Sequence, residues 1–172
     1  MNLPTWVTCS RLLAVPAALI LLSDPSNNPS TEQRWWALGI FLVAALTDWL
    51  DGYLARRLNQ VTDLGKFLDP LVDKLLVLAP LMALVELGRV PAWGVFAIAA
   101  RELTIAGWRV NQTKISGANW WGKFKTVSQI VAIALLLCPS FDPYPVLSLS
   151  AFWIAVTLSW ISGLIYLFPK RT

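Results

Sequence analysis

The sequence from position 48 to position 73 reads DWLDGYLARRLNQVTDLGKFLDPLVD, with aspartates at 48, 51, 69 and 73 among segments that otherwise resemble membrane helices. A carboxylate at membrane depth costs roughly 2.5–3.5 kcal/mol on insertion scales. Four of them at helical spacing require compensating positive charge, which a divalent metal ion supplies most simply. The segment therefore predicts a charged site within a helical membrane protein.

The composition of the whole chain agrees with a membrane protein. Of its 172 residues, 56% are hydrophobic and 14% are charged, whereas soluble domains carry about 25% charged residues. The length suits one domain, so we expect residues 1–172 to form a single membrane domain. The basic residues are spread over loop ends, which favours anionic lipid or a phosphorylated substrate over nucleic acid.

The absence of histidine narrows the chemistry that this chain can perform. It excludes histidine metal ligands, histidine general bases and every Ser-His or Cys-His arrangement. Cys9 and Cys138 are far apart and form no CxxC motif, so we expect neither a disulfide framework nor a thiolate metal site. Acid–base catalysis must therefore depend on Asp, Glu, Lys or Tyr.

Apolar runs separated by proline-rich or polar turns predict six transmembrane helices in an all-α integral membrane protein. The expected spans are 5–22, 35–56, 67–87, 91–109, 122–137 and 145–168. Of the 14 Lys and Arg residues, all except Arg34 and Arg89 lie at or nearer one face. The positive-inside rule then places both termini and the carboxylates at the cytoplasmic side of the inner membrane.

The acidic residues of the second and third spans are expected to face each other. On a helix, positions 48, 51, 52, 55 and 56 fall within an arc of about 140°, and Asp69 and Asp73 are i,i+4 neighbours. The short connection between the two spans favours antiparallel packing, which would bring both acidic faces together near the cytoplasmic surface.

Four aspartates without His or Cys suit Mg²⁺ or Mn²⁺, and Ca²⁺ less specifically. They suffice for two metal ions about 3.5–4 Å apart, an arrangement that holds phosphates during displacement reactions. The alternative is a surface ion-pair network with neighbouring cations. Its basic members would be Arg56, Arg57, Lys66 and Lys74.

The spacing D-x2-D-G-x2-A-R-x8-G-x3-D-x3-D resembles the signature of the CDP-alcohol phosphotransferases, and every fixed position is present. The similarity extends to most of the chain. Asn2-Leu-Pro4 with Thr8 and Arg11, Ala100-Arg-Glu102, and Gly122-Lys-Phe-Lys-Thr126 resemble the branch of the family whose acceptor is sn-glycerol 3-phosphate. Six spans also agree with the fold of that family.

The resemblance implies transfer of the phosphatidyl group of CDP-diacylglycerol to the hydroxyl of sn-glycerol 3-phosphate, with release of CMP. It implies that Asp48, Asp51, Asp69 and Asp73 hold two Mg²⁺ or Mn²⁺ ions and that Asp73 is also the general base. By the same resemblance, Gly52, Arg56 and Thr62 bind the CDP part of the donor. It further implies a homodimer.

A dianionic acceptor needs cations, and Arg101 is expected well inside the fourth span, where an arginine is rarely idle. The further candidates for the acceptor site are Arg109, Lys123, Lys125, Thr8 and Arg11. For Arg101 the alternative is a structural ion pair with Glu102, and for the two lysines it is contact with lipid headgroups. Lys123 and Lys125 differ by 200° around a helix, so we do not expect both to point into one pocket.

Two other interpretations remain open from the sequence. Intramembrane carboxylates also mark ion pathways, so the chain could be a divalent-cation transporter, although its acids lie at one end of two helices. Within the family, the acceptor could instead be inositol phosphate, serine or phosphatidylglycerol.

Overall fold

In a computed structural model of the chain, the described residues form six α-helices. They are α1 (Leu3–Leu22), α2 (Thr31–Leu58), α3 (Asp63–Glu86), α4 (Ala92–Val110), α5 (Trp120–Leu137) and α6 (Pro145–Leu167), with a short 3-10 turn at Pro139–Phe141. The structure describes residues 3–23, 29–58, 63–110 and 120–167, and side chains within 13–23, 29–47, 71–108 and 120–166. All regular structure in these residues is helical, which confirms the all-α prediction.

A capping box fixes the start of α2, four residues before the span expected from apolar periodicity. The Gln33 backbone N–H donates to Ser30 Oγ at 3.2 Å, and the Ser30 N–H donates to Gln33 Oε1 at 2.7 Å. This reciprocal pair satisfies two N–H groups that the first helical turn would leave without partners. The polar residues that precede Trp35 therefore belong to the helix.

The end of α3 is set by Gly88, whose φ of 67° lies in the left-handed region that favours glycine. The Gly88 N–H donates to the Val85 carbonyl at 2.9 Å, and the Arg89 N–H donates to the Leu84 carbonyl at 2.9 Å. This pair of bonds is the Schellman motif, which satisfies the last carbonyls of a helix. The chain can therefore reverse at once into Pro91 and α4.

The helices pack around one apolar core that includes Ala37, Leu84, Ile133 and Phe152. α1 packs against α2 and α3, while α5 packs against α6. α4 and α6 run parallel. The ring centres of Trp93 and Trp153 are 4.4 Å apart, and Arg101 bonds to Ser159 further along both helices.

Gly94 permits the close approach of α4 and α6. A Cβ atom built at Gly94 would lie 2.7 Å from Cε1 and 2.8 Å from Cζ of the fully buried Phe152 ring. No side chain larger than hydrogen fits there without displacing that ring. A small residue at a helix contact thus sets the distance between the two helices, as in other membrane bundles.

One end of the bundle is held together by Asp142, in the connection between α5 and α6. Its Oδ1 accepts from Arg34 Nη2 of α2 and from Arg89 Nη1, each at 2.8 Å, and its Oδ2 accepts from Arg34 Nη1. Arg34 is buried, whereas the Asp142 side chain is 43% exposed. These contacts bring the start of α2 to the same end of the bundle as the α3–α4 and α5–α6 connections. The aspartates of α2 and α3 lie towards the opposite end of the bundle.

The outer surface of the bundle is strongly apolar, as expected for a membrane protein. Large side chains that are more than half exposed include Ile20, Met82, Phe96, Leu103 and Val146. Among the described residues, Pro145–Tyr166 is the one helix both long and apolar enough to cross a membrane, and Leu13–Leu22 is a shorter apolar helix. The six predicted spans thus coincide with six helices, whereas their passage through a bilayer stays a prediction.

Candidate active site

The four aspartates of the motif lie on two antiparallel helices at matching distances from their joined ends. α2 starts at the end of the bundle where α3 finishes, so the two helices run in opposite directions. Asp48 and Asp51 precede the end of α2 by ten and seven residues, and Asp69 and Asp73 follow the start of α3 by six and ten residues. At 1.5 Å per residue, both pairs stand about 9–15 Å from those ends.

The described residues contain only part of the predicted site. Thr62 lies outside them. Eight other predicted residues lie within the helices, but their side chains are outside the described set: Thr8, Arg11, Asp48, Asp51, Gly52, Arg56, Asp69 and Arg109. The side chains of Asp73, Arg101, Lys123 and Lys125 are described.

The residue types of the motif fit a hard divalent cation. All four candidate ligands are carboxylates, the oxygen donors that Mg²⁺ and Mn²⁺ prefer. Asp73 is exposed on α3. Among the side chains that the structure describes, no three candidate metal ligands form a group, and three of the four aspartates are not in that set. The fit of the motif to a divalent cation therefore rests on its four carboxylate donors and on their matching distances from the joined ends of α2 and α3.

A buried group of charges joins the middle of α4 to the start of α5. This buried charge cluster consists of Arg101, Glu102 and Lys125. Glu102 Oε1 accepts from Lys125 Nζ at 2.6 Å and from Arg101 Nη1 at 3.1 Å. The three side chains are only 7%, 12% and 13% exposed in chain order. Two cations from two helices thus share one carboxylate oxygen.

Lys74 connects this cluster to the aspartate motif. It directly follows Asp73 on α3, and its charge acts electrostatically on both Glu102 and Lys125. α3 also packs against α4 and α5. The end of the motif on α3 thus lies near the buried charge cluster, whose cations suit a dianionic ligand.

The two lysines at the start of α5 have different environments. Lys125 belongs to the buried charge cluster, whereas Lys123 is exposed with its Nζ 5.1 Å from the centre of the Trp120 ring. A cation over an indole face is stabilised by the ring quadrupole. The described contact of Lys123 is therefore of the kind expected at the headgroup boundary of a membrane.

Sequence reasoning missed the polar residues that surround Arg101. Arg101 Nε donates to the Ser159 carbonyl at 2.8 Å, and Nη2 donates to Ser162 Oγ at 2.9 Å. Gln129 Nε2 of α5 donates to Ser159 Oγ at 2.9 Å. The available signal was the spacing of Ser159, Ser162 and Gly163, which places small and polar residues on one face of an apolar helix.

Comparison with known proteins identifies the family. The sequence model of the family described as CDP-alcohol phosphatidyltransferase matches residues 1–163. The chain therefore belongs to the CDP-alcohol phosphatidyltransferase family, and it is a phosphatidyltransferase.

Several curated relatives match over nearly the full chain. The protein named CDP-diacylglycerol--glycerol-3-phosphate 3-phosphatidyltransferase from Bacillus subtilis (strain 168) is 38% identical, covering 94% of this chain and 91% of that protein. The protein of the same name from Escherichia coli (strain K12) is 36% identical over 99% of this chain and 95% of its own length. A probable phosphatidylglycerophosphate synthase of Mycobacterium tuberculosis (strain ATCC 25618 / H37Rv) is 36% identical, covering 96% of this chain and 79% of that protein.

Proposed function

We propose that the protein transfers the phosphatidyl group of CDP-diacylglycerol to sn-glycerol 3-phosphate, which yields phosphatidylglycerophosphate and CMP. The acceptor hydroxyl forms a new bond to the phosphatidyl phosphorus, the bond from that phosphorus to CMP breaks, and CMP leaves with the electron pair. The names of the relatives from Bacillus subtilis and Escherichia coli state this donor and this acceptor.

The buried charge cluster is the observation that carries the choice of acceptor. Glycerol 3-phosphate is a dianion with no apolar group to recognise, so it must be bound by cations. Arg101 and Lys125 bring two cationic side chains to the Glu102 carboxylate, and they are only 7% and 13% exposed. Serine is a zwitterion without a phosphate, so it offers these cations less negative charge than glycerol 3-phosphate does.

The aspartate motif takes the donor and the proton in this proposal. Asp48, Asp51, Asp69 and Asp73 hold two divalent ions, which would offset the charge of the pyrophosphate when bound. Gly52 leaves room on α2, while Arg56 and Thr62 contact the CDP part. Asp73 accepts the proton of the attacking hydroxyl, the role that the family resemblance implies for it.

The same proposal includes a membrane arrangement. The six helices cross the inner membrane with both termini and the active site at the cytoplasmic face, where CDP-linked donors and glycerol 3-phosphate can meet. The basic residues expected on the opposite face are only Arg34 and Arg89, and both contact Asp142. A homodimer is expected by the family resemblance.

Membrane orientation is tested by labelling single cysteines with a thiol reagent that cannot cross the bilayer. In a background with Cys9→Ser and Cys138→Ser, a cysteine at position 28 should react from outside the cell and one at position 112 only after the membrane is opened. The reverse pattern would contradict the orientation and separate the site from its nucleotide substrate.

CMP release by the purified full-length protein tests the reaction. CDP-diacylglycerol and Mg²⁺ in mixed micelles are combined with glycerol 3-phosphate, inositol phosphate, serine or phosphatidylglycerol. We expect glycerol 3-phosphate to give the highest kcat/KM. Preference for another alcohol would overturn the acceptor assignment but not the family chemistry.

Lys123 and Lys125 provide a matched pair for locating the acceptor site. Both are lysines of the same helix, but only Lys125 contacts Glu102. Losing one charge-assisted contact costs about 1.5–3 kcal/mol, so Lys125→Ala should raise the KM for glycerol 3-phosphate about 10- to 100-fold. Lys123→Ala should change it much less. Equal effects would show that the buried charge cluster does not select the acceptor.

A further inference from the structure

α6 carries an uncharged contact surface for Arg101, a buried arginine of α4. The helix contains no Asp, Glu, Lys or Arg between Pro145 and Leu167, and its sequence predicts only a membrane span. Ser159, Ser162 and Gly163 nevertheless occupy one face at i, i+3 and i+4. All three are buried, and each lies against the Arg101 side chain.

Arg101 donates two hydrogen bonds to α6, and these bonds fix the plane of its guanidinium. Nε donates to the Ser159 carbonyl at 2.8 Å, and Nη2 donates to Ser162 Oγ at 2.9 Å. The guanidinium is planar and rigid, so holding two of its nitrogens also sets the direction of the third. That third nitrogen, Nη1, donates to Glu102 in the buried charge cluster at 3.1 Å.

Gly163 supplies the space in which this side chain lies. A Cβ atom added at Gly163 would be 3.1 Å from Arg101 Nε and 3.3 Å from Arg101 Cγ. These distances are shorter than ordinary van der Waals contact, so a Cβ at position 163 requires the Arg101 side chain to shift by a few tenths of an ångström. The missing side chain is therefore a geometric requirement of the observed Arg101 position.

Ser159, whose carbonyl accepts the hydrogen bond from Arg101, is itself held by a residue of α5. Gln129 Nε2 donates to Ser159 Oγ at 2.9 Å, and both residues are buried. Buried polar groups that are fully hydrogen-bonded make an arrangement rigid. The contacts thus form a continuous path from α5 through Ser159 of α6 to Arg101 of α4.

We propose that Ser162 and Gly163 are positioning residues that hold the Arg101 guanidinium in the orientation required to bind the phosphate of the acceptor. This inference rests on the proposed function and adds α6 to the residues that determine acceptor affinity. Neither residue touches the substrate. Both act through Arg101, so replacing them should change the binding of the acceptor and not the binding of the donor.

Kinetic constants of two variants test the proposal in the purified full-length protein. Ser162→Ala removes the partner of Nη2 without adding volume, and Gly163→Ala displaces the side chain. Because small errors of placement cost much in binding and turnover, we expect the KM for glycerol 3-phosphate to rise about tenfold in each. The KM for CDP-diacylglycerol should stay within about twofold of its original value.

The chain offers a matched control for each substitution. Ser150 is an exposed serine of α6, and Gly39 of α2 has open space where a Cβ would be added. Ser150→Ala and Gly39→Ala should therefore leave both KM values unchanged. The thermal unfolding of all four variants is measured in the same micelles, and Ser162→Ala decides the question if Gly163→Ala does not fold.

A double-mutant cycle separates positioning from general disturbance of α6. In an Arg101→Ala background, the added methyl group at position 163 has no guanidinium to displace. Gly163→Ala should then change the acceptor KM by less than about twofold. A full tenfold effect in that background, or a parallel change in both KM values and kcat, would overturn the positioning role.

The failure of this inference can be distinguished from failure of the proposed function. If the unaltered protein does not release CMP with glycerol 3-phosphate, the proposed function fails and this inference fails with it. If that turnover is normal but both α6 variants keep the original acceptor KM, the α6 inference alone is wrong.

Discussion

Lys125 Nζ lies 2.6 Å from Glu102 Oε1, and this single contact ties the start of α5 to the middle of α4. The same oxygen also accepts from Arg101 Nη1 at 3.1 Å. One carboxylate oxygen thus holds two cations from two helices in a site that is nearly closed to the surroundings. Glu102 allows the two cations to lie side by side.

Replacing Glu102 by glutamine should destabilise the protein strongly. Gln keeps the shape and a hydrogen-bond acceptor but removes the charge that compensates Arg101 and Lys125. Breaking a buried ion pair costs about 3–5 kcal/mol because the remaining charge is left without compensation. We expect a clear fall in Tm for Glu102→Gln, with Glu86→Gln at the exposed end of α3 as control. Equal Tm values for both variants would contradict the buried-charge interpretation.

The ion pairs of Asp142 should make stability depend on pH in the acid range. Hydrogen bonds from Arg34 and Arg89 hold the pKa of Asp142 at about 2, against an ordinary value of 3.8. A depressed pKa in the folded state means that the stabilisation is complete well above pH 3.8. It is lost as the pH falls through that value towards 2.

Asp142→Asn provides the comparison for that pH dependence. The side chain is 43% exposed, so solvent screening limits the expected difference in unfolding free energy to about 1 kcal/mol. This difference should be present at pH 6 and should vanish on acidification towards pH 2, measured by denaturant unfolding in micelles. A difference that grows as the pH falls would have the wrong sign for a depressed carboxyl pKa.

The helices themselves could be predicted from sequence because their signals are local. Apolar runs and the turns around Pro91 and Pro145 predict six segments, and six helices are observed. The boundaries differ most where polar residues extend a helix. α3 begins at Asp63 instead of 67, because the segment Asp63-Leu-Gly-Lys66 lies in the helix although its charged ends interrupt the apolar run.

The surroundings of Arg101 could not be predicted in this way. Its partners Ser159 and Ser162 are 58 and 61 residues away in sequence, on a helix that is not its neighbour along the chain. Periodicity shows which face of a helix is polar but not which other helix meets that face. The parallel packing of α4 and α6 depends on Gly94 and Phe152, whose contact has no local signal.

Removing divalent ions should abolish turnover. The donor is a pyrophosphate that must approach four aspartates, and without cations these charges repel each other. Activity should fall to background in excess chelator and return with Mg²⁺ or Mn²⁺. Thermal unfolding should also shift upward when Mg²⁺ is added back, since a ligand that binds the folded state stabilises it. Full turnover with no bound metal would contradict the two-metal assignment.

Asp73→Asn should separate catalysis from binding. Asp73 precedes Lys74, whose charge acts on Glu102 and Lys125, so among the four aspartates it is the one adjacent in sequence to the acceptor cations. Asn keeps one oxygen that can bind a metal ion but cannot accept the proton of the attacking hydroxyl. Loss of a general base typically lowers the rate about 10²–10⁴-fold.

The measurements for Asp73→Asn are kcat, the KM for CDP-diacylglycerol and the Mg²⁺ concentration that gives half-maximal activity. We expect kcat to fall by that factor, while the other two values change only a few-fold. Asp48→Asn is the comparison, because it removes a predicted metal ligand that has no proton-transfer role and should raise the Mg²⁺ requirement. If Asp73→Asn instead turns over at a near-normal rate, the attacking hydroxyl loses its proton to another group.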